Sequence, residues 1–258
     1  MKFFQAIGKK IIGSFSFLGA IVILFYNVLR YTKRIYKDRK LLIEQMAIVG
    51  ADSLPLVLLI GSFTGAIAAL QATNLFDKFN LIGIATPFLG SSIATVVFTE
   101  LTPVLLALVI AGRVGGSIAA QIGTMQVTEQ IDALEMMAID KNRYLALPRI
   151  YAAIIMMPVL AIFSNIVALA GGFVLTNIKF NFAFNVFFDS IISYFSVYDV
   201  FIGLFKSLVF GGVTALIGVH VGFTTQGGAE GVGQSTVKAF TISAASILIL
   251  DALFGYLL

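Results

Sequence analysis

Five apolar runs, at about residues 53 to 73, 82 to 112, 150 to 177, 199 to 223 and 238 to 258, constrain this chain more than any other feature. A helix rises 1.5 Å per residue, so roughly 20 residues cross a hydrocarbon layer of about 30 Å, and each run is long enough. No water pairs with the backbone there, so each run must satisfy its own amides as a helix. The expected fold is an all-α integral membrane protein with five transmembrane helices. The second run, at about 46 Å, must tilt, bend or project, and Pro87 and Pro103 supply places to bend.

Composition agrees. Of 258 residues 59% are hydrophobic and 12% charged, against about 25% charged in soluble domains. No stretch outside the runs is long enough to bury a core of its own, so one membrane domain is expected at 48 to 258, after a basic region at 1 to 47. With no cysteine and one histidine, His220, neither a disulfide framework nor a metal site is expected, and no cofactor is implied. Nine of the seventeen Lys and Arg fall in residues 1 to 40, so the formal charge of +4 marks membrane-side anchoring and not nucleic acid.

A sixth apolar run, 13 to 29, lies between Lys9 and Lys10 on one side and Arg30, Lys33, Arg34, Lys37, Arg39 and Lys40 on the other. A crossing would force one basic cluster outside, so this run is expected to be an interfacial elbow or re-entrant helix and not a sixth span. No small-residue cleavage site follows it, so the N-terminus is expected to be retained. Five crossings then place the N-terminus in the cytoplasm and the C-terminus outside. Segment 121 to 149, with Lys141, Arg143 and Arg149, falls inside, and segments 74 to 81 and 178 to 198, with one Lys each, fall outside. The inner segment 224 to 237 carries Gly227, Gly228, Gly231 and Gly233. It lacks GxxxxGK[ST] and a preceding strand, so a flexible turn is expected, not a phosphate cradle, and ATP hydrolysis is not expected of this chain.

Several residues stand out inside the spans. Gly61 with Gly65, Gly112 with Gly116, and Gly218 with Gly222 are spaced four apart, which lets another backbone approach, within the chain or from a second copy. Glu100 lies about 28 Å along from residue 81 and needs a partner or water; structural pairing and a place in a transport pathway both satisfy that. Lys206, about 7 residues into the fourth run, and Asp251, about 7 from the end of the fifth, reach similar depth on antiparallel helices and are predicted to pair. Arg113, at the inner end of its span, is expected to snorkel to phosphates or carbonyls.

Residues 128 to 139 read as a short amphipathic cytoplasmic helix. Thr128 is placed to cap it, Ile131, Leu134, Met137 and Ala138 form an apolar face, and Glu129, Asp132 and Glu135 an acidic one. An acidic face suits a basic protein groove better than an anionic leaflet. One His, no Cys and few intramembrane acids offer no nucleophile, base or metal set, so an enzyme is not expected.

Residues 100 to 140, ELTPVLLALVIAGRVGGSIAAQIGTMQVTEQIDALEMMAID, resemble the MlaE-type permease family, also called YrbE; the likeness runs from about 48 to 258, and FKSLVFGG and LILDALFGYL share it more loosely. Such proteins are membrane subunits of ABC transporters that work with lipid-binding MCE proteins. The resemblance implies a homodimer of five-span subunits in the bacterial inner membrane, each preceded by an elbow helix. It implies an ABC ATPase subunit docked on a coupling segment around Glu129, Asp132, Leu134, Glu135, Met137 and Asp140, an MCE-domain partner outside, and phospholipid as substrate. By family position Gln71, Leu75, Phe76 and Phe79, with Glu100, would line the lipid cavity. Many members have Arg before the glutamate; this chain has Thr99. The other function open to the sequence is a proton-coupled secondary lipid transporter using Glu100.

Overall fold

A computed structural model describes residues 2 to 79 and 86 to 257, and the regular structure among them is helical throughout. In chain order the helices are α1 (Lys2–Tyr31), α2 (Arg39–Lys78), α3 (Leu89–Val127), α4 (Gln130–Met136), α5 (Asn142–Phe180), α6 (Phe184–Tyr194), α7 (Val197–Phe223) and α8 (Gly228–Leu257). Helices α2, α3, α5, α7 and α8 are long and apolar enough to cross a membrane. The apolar part of α1, Phe15–Tyr31, spans about 26 Å, short of a full crossing.

The helices outrun the apolar stretches that announce them. The second span was expected to start at 82; residues 82 to 85 lie outside the described residues, and α3 begins at Leu89 after a single tight turn, Thr86–Phe88, that contains Pro87. At its other end α3 continues past Gln121 to Val127, where a cytoplasmic loop was expected. The Thr124 and Thr128 hydroxyls bond back to the carbonyls of Ala120 and Thr124, so these polar side chains are satisfied by the helix's own backbone. The expected loop 178 to 198 contains α6, and the expected glycine turn at 224 to 237 shrinks because α8 starts at Gly228. Gly227 (φ +91°) and Gly228 (φ +66°) adopt backbone conformations there that favour glycine, and a Cβ on Gly231 would stand 1.7 Å from the Gln226 carbonyl oxygen.

Residues group into two compact units. The first comprises residues 1 to 45, 111 to 152 and 212 to 243. Its core joins Ala119, Ile217, Val221 and Ala239, with Phe17 and Ile21 of α1 packed against them. Close approach makes that packing possible: a Cβ on Gly218 would stand 2.8 Å from the Gly115 carbonyl oxygen.

The second unit comprises residues 46 to 110, 153 to 211 and 244 to 258. Here Ala68, Ala69, Leu89, Ile93, Val97, Ala168 and Phe187 form a core, and α2 meets α5 through glycine. A Cβ on Gly65 would lie 1.7 Å from the Ala168 carbonyl oxygen, and one on Gly61 2.6 Å from that of Ser164. Gly112 and Gly116 face Phe240 and Thr236 of α8 within the first unit. All three glycine pairs therefore pack within the chain.

Candidate functional site

A groove of about 720 Å³ opens in the second unit between the later half of α2 and the start of α3. Ile67, Ala68, Ala72, Leu75, Phe76, Ile93, Val96 and Leu101 give it apolar walls, and Gln71, Asn74, Lys78 and Ser92 are its polar members. Helical spacing explains the α2 wall: positions 67, 71, 74 and 78 fall within about 40° of one line on a helix of 3.6 residues per turn. Ile67, Leu75 and Val96 are about half exposed within it, which is the surface that a membrane protein keeps for hydrocarbon. Helix α6 holds the opposite wall in place: Gly90 lies against the Phe187 carbonyl, and Ser190 Oγ accepts from the Ser91 amide at 3.1 Å.

Of the residues that the resemblance places in a lipid cavity, Gln71, Leu75 and Phe76 line this groove. Phe79 is 62% exposed at the end of α2 and does not line it, because the helix stops at Lys78 and the chain turns. Glu100 does not line it either.

Glu100 joins a charge cluster instead. Lys206 Nζ donates to Glu100 Oε1 at 2.9 Å and to Asp251 Oδ1 at 3.0 Å. Lys206 is 1% exposed, whereas the Glu100 and Asp251 side chains are 46% and 21% exposed. Local backbone makes the meeting possible. Residues Val97–Leu101 form a widened π-type turn ahead of Pro103, whose ring and missing N–H disturb the preceding turn. Gly203, one turn before Lys206, lets α7 close on that region: a Cβ there would stand 2.1 Å from the Phe98 carbonyl oxygen. Phe254 packs near both Phe205 and Phe210 beside the cluster.

The sequence pointed to Lys206 with Asp251, while Glu100 was expected in the lipid cavity or paired with a partner it did not name. Its signal lay in helix starts: counted from Leu89, Glu100 is about 17 Å along α3, and Lys206 is about 14 Å along α7 from Val197. Counting from residue 81 hid that match.

In the first unit, α4 and its flanks form a separate site. Ile131 is fully buried and anchors α4, whereas Asp132, Glu135, Met136 and Met137 are exposed, Met136 by 90%. Two expectations about this segment need correction. Thr128 does not cap α4, since its hydroxyl bonds Thr124 at the end of α3 and Glu129, in a left-handed conformation (φ 60°), makes the break. Nor is there a continuous apolar face: Leu134 is half-buried and Met137 and Ala138 are exposed, because α4 ends at Met136 and Ala138 turns the chain with φ 59°.

Polar contacts fix these flanks. Asp140 Oδ1 accepts from the amides of Asn142 and Arg143 at 2.8 and 3.2 Å, at the start of α5, and its Oδ2 accepts from the Tyr31 hydroxyl at 2.8 Å. Arg143 holds Asp38 through two bonds at 2.9 and 3.0 Å, and Lys141 pairs with Glu135 at 2.8 Å. Arg149, 8% exposed, donates to the Leu145 carbonyl and to Gln121 Oε1. His220 stacks edge-on with Phe17, and among the described residues no group of three metal-ligating side chains occurs.

Five candidate spans, an apolar groove with a polar end and an anchored acidic segment describe a polytopic helical membrane protein. The family described as Permease MlaE matches residues 42–257. A probable ABC transporter permease protein of Synechocystis sp. is 40% identical over 86% of this chain and 82% of its own. One from Rickettsia felis is 38% identical over 96% and 90%, and the intermembrane phospholipid transport system permease protein MlaE of Haemophilus influenzae is 33% identical over 97% and 94%. The chain belongs to the MlaE permease family.

Proposed function

We propose that this chain is the membrane-spanning subunit of an ABC transporter that moves phospholipid between membranes, and that it performs no chemistry itself. The observation that carries the reading is the α2–α3 groove, whose walls are apolar and whose polar residues gather toward one end, as an amphiphile with two acyl tails requires. In this reading two copies of the chain face each other in a bacterial inner membrane, with the N-terminus cytoplasmic and the C-terminus periplasmic. α1 lies at the interface as an elbow, an MCE-family lipid-binding protein receives or delivers lipid, and Glu129, Asp132, Leu134, Glu135, Met137 and Asp140 meet a separate ATPase subunit.

Transport requires lipid to bind the open and closed shapes of the groove with different affinity, because a ligand that binds both equally shifts nothing. Nucleotide binding in the partner would supply the closing. α3 begins at the groove and ends at the coupling segment, which gives the partner a continuous element to push.

A proton-driven carrier built on Glu100 would need that carboxylate free to exchange, and its bond to Lys206 supports a structural role instead. The test is reconstitution of the chain with the products of its neighbouring genes in liposomes. Lipid transfer that needs ATP and survives collapse of the proton gradient is expected; transfer that stops with the gradient and ignores ATP overturns the proposal.

A further inference from the structure

The groove has a chemical direction along α2. From Ile67 through Gln71 and Asn74 to Lys78, the residues on its stripe pass from hydrocarbon to amide to ammonium over about 17 Å. A second cation reaches the same end: Lys179 donates from Nζ to Asn74 Oδ1 while its ammonium stands 5.1 Å from the centre of the Phe180 ring. Both lysines sit in the last turn of their helices, α2 and α5, so two negative helix ends hold two cations at one mouth. Lys78 engages no carboxylate among the described residues. Asp77 is the nearest acid in sequence, but it lies about 100° around α2 from Lys78 and does not line the groove.

We propose that this end of the groove is a headgroup subsite that selects lipids of net negative charge, with Lys78 and Lys179 drawing the phosphate and Asn74 and Gln71 bonding its oxygens or the glycerol. The proposal rests on the reading of the groove as a lipid site. The helix ends offset the two ammonium charges only partly, so with one phosphate bound the mouth keeps a positive surplus. A zwitterionic headgroup brings its own ammonium to that surplus and is repelled, whereas an anionic diacyl lipid such as phosphatidylglycerol is not. Lysine suits the task because its ammonium is a mobile point charge that follows a phosphate without fixed geometry.

The test measures equilibrium binding of tail-labelled phosphatidylglycerol and phosphatidylcholine to the full chain in neutral detergent at low and physiological salt. Wild type is expected to favour the anionic lipid about five- to tenfold at low salt, with the ratio shrinking as salt rises. The double variant Lys78→Gln/Lys179→Gln is expected to bring the ratio within about twofold, and Lys78→Arg/Lys179→Arg to keep it. Equal wild-type affinities, or an unchanged ratio in the glutamine variant, overturn the subsite. Competition by millimolar inorganic phosphate also overturns it, by assigning the lysines to a free anion. Val96→Trp fills the groove wall and separates the two claims. If it abolishes binding of both lipids, the groove is the lipid site whatever the lysines do; if both bind as before, the groove reading itself fails.

Discussion

Lys206 Nζ stands 2.9 Å from Glu100 Oε1, and through that bond the middle of α7 is held to the widened turn of α3. Asp251 of α8 accepts a hydrogen bond from the same ammonium, so one buried cation ties three spans together. Lys206→Met removes the only cation of the cluster and leaves two carboxylates without it. A loss of about 1–3 kcal/mol is expected, because the carboxylates left behind are partly exposed, read as a lower melting temperature in detergent. Replacing all three at once, Glu100→Gln/Lys206→Met/Asp251→Asn, should recover most of that. A Lys206→Met protein that melts like wild type would show the cluster to be idle.

Helix contact through glycine makes a sharper test of packing. Gly65→Ala places a methyl 1.7 Å from a backbone oxygen of α5, which cannot rotate away, and is expected to cost about 1–3 kcal/mol or more. Gly112→Ala meets only a Phe240 ring carbon at 3.5 Å, an ordinary contact, and should be neutral or slightly stabilising. Thermal unfolding of the two variants side by side checks the contrast.

Glu135 points outward from α4 and is 51% exposed, so its replacement should leave stability within about 0.5 kcal/mol. Glu135→Lys is nevertheless expected to abolish lipid stimulation of ATP hydrolysis in the assembled transporter. Pairing with Lys141 offers a competing explanation, which the swap Glu135→Lys/Lys141→Glu resolves. Restored coupling in the swap would assign the effect to that pair and remove the docking role.

The fork between Arg143 and Asp38 joins the start of α5 to the segment after α1. Its side chains are 34% and 22% exposed, so Asp38→Asn should cost about 1 kcal/mol or less and the loss should shrink with salt. A melting series at low and high ionic strength measures both effects.

Much of the fold was legible because apolar length is a direct physical demand: all five spans were readable in the sequence. Their ends were not. Polar residues such as Thr124 lie within α3 with their hydroxyls satisfied by its backbone, and hydropathy has no signal for that. Glu100 was expected in the lipid cavity and its pairing with Lys206 was missed for a related reason, since the π-type turn before Pro103 and the start of α3 at Leu89 change both its depth and its direction. The acidic segment was recognisable from Glu129, Asp132 and Glu135, but the sequence could not show that Ile131 alone is fully buried in α4, because left-handed residues that are not glycine leave no compositional trace. The groove's α2 wall follows a simple helical stripe; its α3 wall depends on contacts with α6 that connect residues about 100 positions apart.

The three-way tie at Lys206 also has a consequence for biogenesis. A lone lysine at mid-span costs about 2.5–3.5 kcal/mol when a segment enters the bilayer from the translocon. Glu100 is synthesised 106 residues earlier and Asp251 45 residues later, so a carboxylate is already waiting when α7 emerges and a second arrives with the last helix. A ribosome-stalled chain ending after α7 should therefore insert that segment efficiently with Glu100 present and poorly with leucine in its place.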